Sequence, residues 1–167
     1  MLISKKIRIF PTPEQEEVLW ILSDKCRLIY NFALDERKET FKNNIKGINF
    51  YKQRGDLKNI RNKYPEYKWV PSRVMENILR TLDSNYRSFF TLHKKGDKDA
   101  KPPRFIGKNY FMTMKYNQTG FKFEDGFVEL THKYNNVPLK FKIPDKYEFE
   151  RFKEKARYFY KLLRGYN

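Results

Sequence analysis

Apolar and polar residues alternate with a period of two at the start of the chain, where Lys6, Arg8 and Phe10 interleave with Lys5, Ile7 and Ile9. That period predicts a half-buried strand over residues 2–10, with basic side chains on its open side. The pattern then changes. Thr12-Pro13-Glu14-Gln15 offers a capping hydroxyl, a proline at the first helical position and a glutamine three residues after the cap, the order of a capping box. From there Val18, Leu22, Cys26, Ile29 and Ala33 recur every three or four residues, which predicts a helix from Pro13 to about Phe41 with one face toward a core.

Asn43-Asn44-Ile45-Lys46-Gly47 breaks the helical period, and a weaker helix is expected from about Tyr51 to Asn62. Pro65 and Pro71 bracket an extended link. Met75, Ile78, Leu79, Leu82, Tyr86, Phe89 and Phe90 then predict a third helix with a wide apolar face. Lys94 to Lys101 has no apolar period and reads as an exposed basic loop. Short alternating segments come next at Tyr110–Tyr116, Phe121–Phe123, Phe127–Leu130 and Leu139–Ile143, with Asp125-Gly126 as a hairpin signal. The tail from Asp145 reads helical, because Phe149, Phe152, Ala156, Phe159 and Leu163 share one face.

The order of elements predicts an α+β fold in which the first strand joins the later ones and the helices are inserted between parts of one sheet. The expected organisation is a small antiparallel β-barrel begun by residues 1–11 and completed by residues 97–144, a three-helix lobe over 12–96, and a C-terminal helix over 145–167. Helices packed on one face of an open sheet are the alternative.

Charge then narrows the choice of partner. Thirty-six Lys and Arg against 20 Asp and Glu leave a formal +16 on 167 residues, a field that attracts phosphate at long range. Aromatic residues make up 17% of the chain, more than a core of this size normally uses, and rings beside Lys and Arg suit base stacking. The sequence contains no apolar run of membrane-spanning length and no secretion signal, so a cytoplasmic protein is expected. The single cysteine, Cys26, falls on the apolar helix stripe and reads as core.

Several side chains are candidate nucleic-acid contacts. Lys5, Lys6 and Arg8 lie on the first strand, and Lys115 lies on a later one. Arg27 and Asn31 sit one turn apart on the first helix, where they can bracket a phosphate, although Asn31 can equally brace a loop. Arg104, between proline and an aromatic, can reach an RNA backbone or a carbonyl of the fold.

Lys-Ile-Arg-Ile-Phe-Pro-Thr at the start, Arg27-Leu28-Ile29-Tyr30-Asn31, Tyr86-Arg87-Ser88-Phe89-Phe90, Pro103-Arg104-Phe105 and Leu139-Lys140-Phe141-Lys142-Ile143-Pro144 come in a specific order and spacing. Together they resemble the N-terminal region of the TnpB/OrfB family of insertion-sequence accessory transposases, RNA-guided nucleases related to type V CRISPR effectors. The resemblance covers about residues 3–144. It implies an oligonucleotide-binding-like barrel and an inserted recognition lobe that together hold a guide RNA and read a short duplex motif. The motif-reading surface it implies comprises Phe50, Arg54, Ser72, Arg73, Glu76, Tyr116 and Asn117.

The family's nuclease needs a paired-metal carboxylate centre with a cysteine zinc ribbon nearby. One cysteine and two distant histidines, His93 and His132, do not build the ribbon. Glu14, Glu16 and Glu17 lie in a first helical turn, where they offset the helix dipole. No catalytic residue, metal or cofactor is therefore expected, and the expected partners are guide RNA and duplex DNA. A separate nuclease chain that completes a split enzyme, or a general RNA-binding role, are the rival readings.

Overall fold

The computed structural model describes residues 8–43, 47–132, 134, 137–144 and 160–161. These residues form an α+β chain. Three long helices come first: α1 (Pro13–Lys42), α2 (Phe50–Lys63) and α3 (Ser72–Lys94), with a 3-10 turn at Pro65–Trp69 between the last two. Five short strands come after them: β1 (Lys115–Tyr116), β2 (Phe121–Glu124), β3 (Phe127–Leu130), β4 (Lys140–Lys142) and β5 (Tyr160–Lys161). The chain divides into two compact units, residues 1–21 with 115–167 and residues 22–114, the division falling within α1.

The capping box at the start of α1 forms as its residue types dictate. Gln15 N–H donates to Thr12 Oγ1 (3.3 Å), and Thr12 N–H donates to Gln15 Oε1 (3.1 Å). The Gln15 amide also donates to the carbonyls of Pro138 (3.0 Å) and Lys140 (3.1 Å), which ties the helix start to β4 within the first unit. The sheet there is an antiparallel meander in the order β2-β3-β4. Its register pairs Phe121 with Leu130, Phe123 with Val128, and Val128 with Phe141, so these side chains share one face. The opposite face carries Lys122, Glu129 and Lys140 side by side, alternating in sign across the three strands. Asp125 (φ 48°) and Gly126 (φ 78°) both take positive φ, as a two-residue hairpin of the right twist requires.

The three-stranded sheet does not close on itself among the described residues, and β1 pairs separately with β5. Most of the expected first strand lies outside the described residues, and Arg8, Ile9 and Phe10 are not in a strand. Of Tyr110–Tyr116, only Lys115 and Tyr116 pair. The helix expected from Asp145 lies largely outside the described residues as well. At Tyr160 and Lys161 it is corrected: they form a strand against Tyr116 and Lys115, in keeping with the high strand preference of the Tyr158-Phe159-Tyr160 run.

In the second unit, Leu22, Cys26, Ile29, Tyr30, Ala33 and Leu34 of α1 are buried together with Leu57 of α2 and Val74, Met75, Ile78, Leu79 and Leu82 of α3. Burial pushes the Cys26 thiol up to about 12, so it stays a protonated, inert core group. A polar tie crosses all three helices. Arg37 on α1 donates to Gln53 Oε1 on α2 (2.9 Å) and to Asp83 Oδ1 on α3 (3.2 Å). The Gln53 amide in turn donates to the Ala33 carbonyl and to Glu36 Oε2, both at 2.8 Å.

Replacing Gly126 by Ala puts a Cβ at φ 78° and should lower unfolding free energy by about 1 to 2 kcal/mol. Chemical denaturation of the two proteins measures this, and an unchanged midpoint would contradict the turn assignment.

Candidate nucleic-acid interface

The strongest candidate surface is a groove of about 430 Å³ between α2 and α3 in the second unit. Asn49 starts α2 by accepting from Lys52 N–H (3.1 Å), which fixes the helical phase of the residues after it. In that phase Tyr51, Arg54, Lys58 and Arg61 fall on one face at spacings of three and four, and all line the groove. The opposite wall is the first turn of α3, with Ser72, Met75 and Glu76.

Glu76 is the centre of the charge arrangement. Its Oε1 lies 3.2 Å from Arg54 Nε and its Oε2 lies 3.0 Å from Arg73 Nη1. Arg61 donates to Ser72 Oγ and, at 3.3 Å, to the carbonyl of Lys68, while its Nε is buried without a hydrogen-bond partner. One carboxylate thus stands among three arginines and a lysine. Such a surface attracts phosphate and can present guanidinium groups to base edges.

The candidate residues separate into groups. Arg54, Ser72, Arg73 and Glu76 are brought together here. Phe50 is not part of the exposed surface: it is buried, with the Arg80 guanidinium carbon 4.4 Å from its ring centroid, so it cannot stack on a base in this conformation. Arg27 and Asn31 are also brought together, but on a protein carbonyl. The Ile106 carbonyl accepts from Asn31 Nδ2 (2.9 Å) and Arg27 Nη1 (3.3 Å), and Asn31 Oδ1 accepts from Ile106 N–H (2.9 Å). Arg27 is further held by Asp24 at 2.7 Å and is buried, so the expected phosphate bracket is a loop brace instead. Arg104 is exposed on that loop.

Lys115, Tyr116 and Asn117 belong to the other unit. Tyr116 is buried, with its ring stacked on His132 at 5.4 Å and 10° between planes, so the expected base-stacking surface is turned into the fold. A Cβ at Gly120 would come within 3.0 Å of Tyr116 Cδ1, so glycine is what allows the chain to pass this ring. Asn117 accepts from Thr119 Oγ1 through its own Oδ1 (3.1 Å), a local turn contact. Arg8 is exposed near the Phe10 ring, and Lys5 and Lys6 lie outside the described residues.

Tyr51, Lys58 and Arg61 were not among the candidates. The signal for Lys58 and Arg61 was present in the sequence as a helical spacing of cations with Arg54, hidden among the many other lysines and arginines of the chain. Among the described residues no His, Cys, Asp and Glu group is arranged to hold a metal, and no helix is long and apolar enough to cross a membrane.

Residues 1–46 match the helix-turn-helix domain of OrfB proteins of the IS605 type. The match makes the N-terminal part of the chain similar to that domain and does not extend to the residues after it. Domains of the helix-turn-helix class bind DNA by setting a helix in the major groove. The matched span holds the single helix α1 among its described residues, and the next helix begins at Phe50. No curated protein matches the chain.

Asn31→Ala should cost about 1 to 3 kcal/mol of stability by leaving the Ile106 N–H unpaired and its carbonyl with Arg27 alone, without altering the salt dependence of nucleic-acid binding by the folded protein. Denaturation and binding titrations together check it. Burial lowers the His132 imidazole to about 4 from its ordinary 6.5, so its neutral form favours the folded state. That contribution is complete above pH 6.5 and is lost as pH falls toward 4. Melting temperature should therefore decline less across this window in His132→Gln than in the parent chain, and equal declines would contradict the assignment.

Proposed function

We propose that this chain is the nucleic-acid-binding module of a TnpB-like transposon protein, which holds a guide RNA and reads a short motif in duplex DNA. The observation that carries the reading is the cationic α2–α3 groove, on a chain whose N-terminal residues match a helix-turn-helix domain of OrfB proteins. In this reading residues 12–96 form the recognition lobe. Residues 1–11 and 97–144 complete an oligonucleotide-binding-like barrel around the β2-β3-β4 meander.

The groove supplies both kinds of contact a duplex reader needs. Lys58 and Arg61 suit phosphate, which positions the duplex, whereas Arg54 and Arg73 carry exposed guanidinium edges that suit bases. Glu76 pairs with both of those arginines, and Ser72 accepts from Arg61. In this reading the module binds nucleic acid and carries no catalytic role.

A general RNA-binding role is the second reading. It is favoured by exposed rings: Phe90, Phe105 and Tyr110 are all more than half exposed, and Lys38 Nζ sits 4.2 Å from the Phe105 ring centroid. Rings so placed can stack on unpaired bases.

Binding of a duplex by the purified chain should weaken steeply with salt, log K falling nearly linearly with log salt concentration as several phosphate contacts release counterions. A flat salt response would overturn the polyanion reading. Equal affinity for all duplexes, together with tight binding of unrelated RNAs, would favour the second reading.

A further inference from the structure

Ser23, Arg27 and Asn31 recur every four residues as a polar stripe down α1, and Lys38 continues it two turns further on. Each of them holds residues 105–112, which run along the helix without forming a helix or strand of their own. Ser23 Oγ accepts from Met112 N–H (2.6 Å), Arg27 and Asn31 grip the Ile106 backbone, and Lys38 Nζ sits 4.2 Å from the centroid of the Phe105 ring. The strap therefore runs antiparallel to α1. Backbone groups of an irregular segment are met here by side chains of the helix beneath it, which fixes the segment without secondary structure.

What the strap presents outward is Phe105, 51% exposed although a lysine lies over its ring, with Arg104 exposed beside it. Among the described residues neither Lys38 nor Arg104 pairs with a carboxylate, whereas Arg54 and Arg73 share Glu76. A fixed ring beside unneutralised cations, on a chain of formal charge +16, fits a partner that is flat in one part and anionic in another. A nucleotide has that form. In a duplex each base face is covered by its neighbours, so only an unpaired base can offer a face to the ring. An acidic peptide answers the charge but leaves the ring without a flat partner. From this we infer that the strap over α1 is a binding site for single-stranded nucleic acid, in which Phe105 stacks on an unpaired base and Lys38 and Arg104 meet the adjoining phosphates. The strap is already fixed, so little ordering is needed on binding. The inference rests on the nucleic-acid binding common to both readings above and is independent of duplex reading in the α2–α3 groove.

Two ligands separate base from charge: oligothymidine of about ten nucleotides, and an abasic strand of the same length that keeps the phosphates and lacks the bases. Fluorescence anisotropy with the full chain should show tighter binding of oligothymidine. Phe105→Leu keeps an apolar side chain without a ring, and should weaken oligothymidine binding about tenfold while the abasic strand binds as before. Phe105→Tyr keeps the ring and should bind both strands as the parent does. Oligouridine should follow oligothymidine, because RNA and DNA share the base face.

Equal binding of the two strands by the parent, or a Phe105→Leu effect of the same size on both, overturns the stacking site and leaves duplex binding intact. The site is equally overturned by a Phe105→Tyr variant as weak as Phe105→Leu, or by a loss seen with only one of oligothymidine and oligouridine. Displacement of oligothymidine by polyglutamate as readily as by an unlabelled strand of equal charge would assign the surface to an acidic peptide instead. A chain that binds neither single strands nor a duplex overturns nucleic-acid binding altogether. Phe105 is exposed and outside the helical core, so its variants test the ring in a folded protein.

Discussion

The helical unit is tied together around a sheltered cation that contacts all three helices. Arg37 is only 8% exposed in its side chain, and a guanidinium removed from water must be met by acceptors or it unfolds its surroundings. It is met on two sides, by Gln53 of α2 and Asp83 of α3, and Gln53 is itself held by the Ala33 carbonyl and Glu36 of α1. The apolar side chains around it supply most of the favourable free energy of burial, but they are non-directional. The hydrogen bonds select one rotation and one register for each helix.

That selection determines what α2 presents. With Gln53 turned inward, Tyr51, Arg54, Lys58 and Arg61 line the groove against the first turn of α3, together with the buried Leu57 and Met75. The groove is therefore a consequence of core packing. A change at Gln53 reaches the charged surface without touching it, because the inward and outward residues of α2 share one helical phase.

Much of the scaffold was legible in the sequence. The capping box at Thr12 and the Asp125-Gly126 turn work through chemistry local to a few residues, and both appear where their residue types place them. The three helices were legible from their periods. The site was less so. Spacing placed Arg27 and Asn31 on one face of α1, but nothing within the helix reveals that the Ile106 backbone lies opposite them. Tyr116 and Phe50 read as aromatic contacts for bases because a ring suited to stacking and a ring suited to a core have the same composition; burial decides between them, and burial is a long-range property. Tyr160 and Lys161 show the same limit, since a helical spacing of apolar residues did not register a strand partner more than forty positions earlier.

Whether duplex DNA is met at the α2–α3 face can be read directly by backbone amide NMR of the labelled chain titrated with a short duplex. The largest shift changes should fall at Arg54, Lys58, Arg61, Ser72 and Arg73, with little change at the braced Asn31 and Ile106. Changes confined to residues outside 50–80, with the α2–α3 signals unmoved at saturating duplex, would contradict a duplex-reading role for this groove.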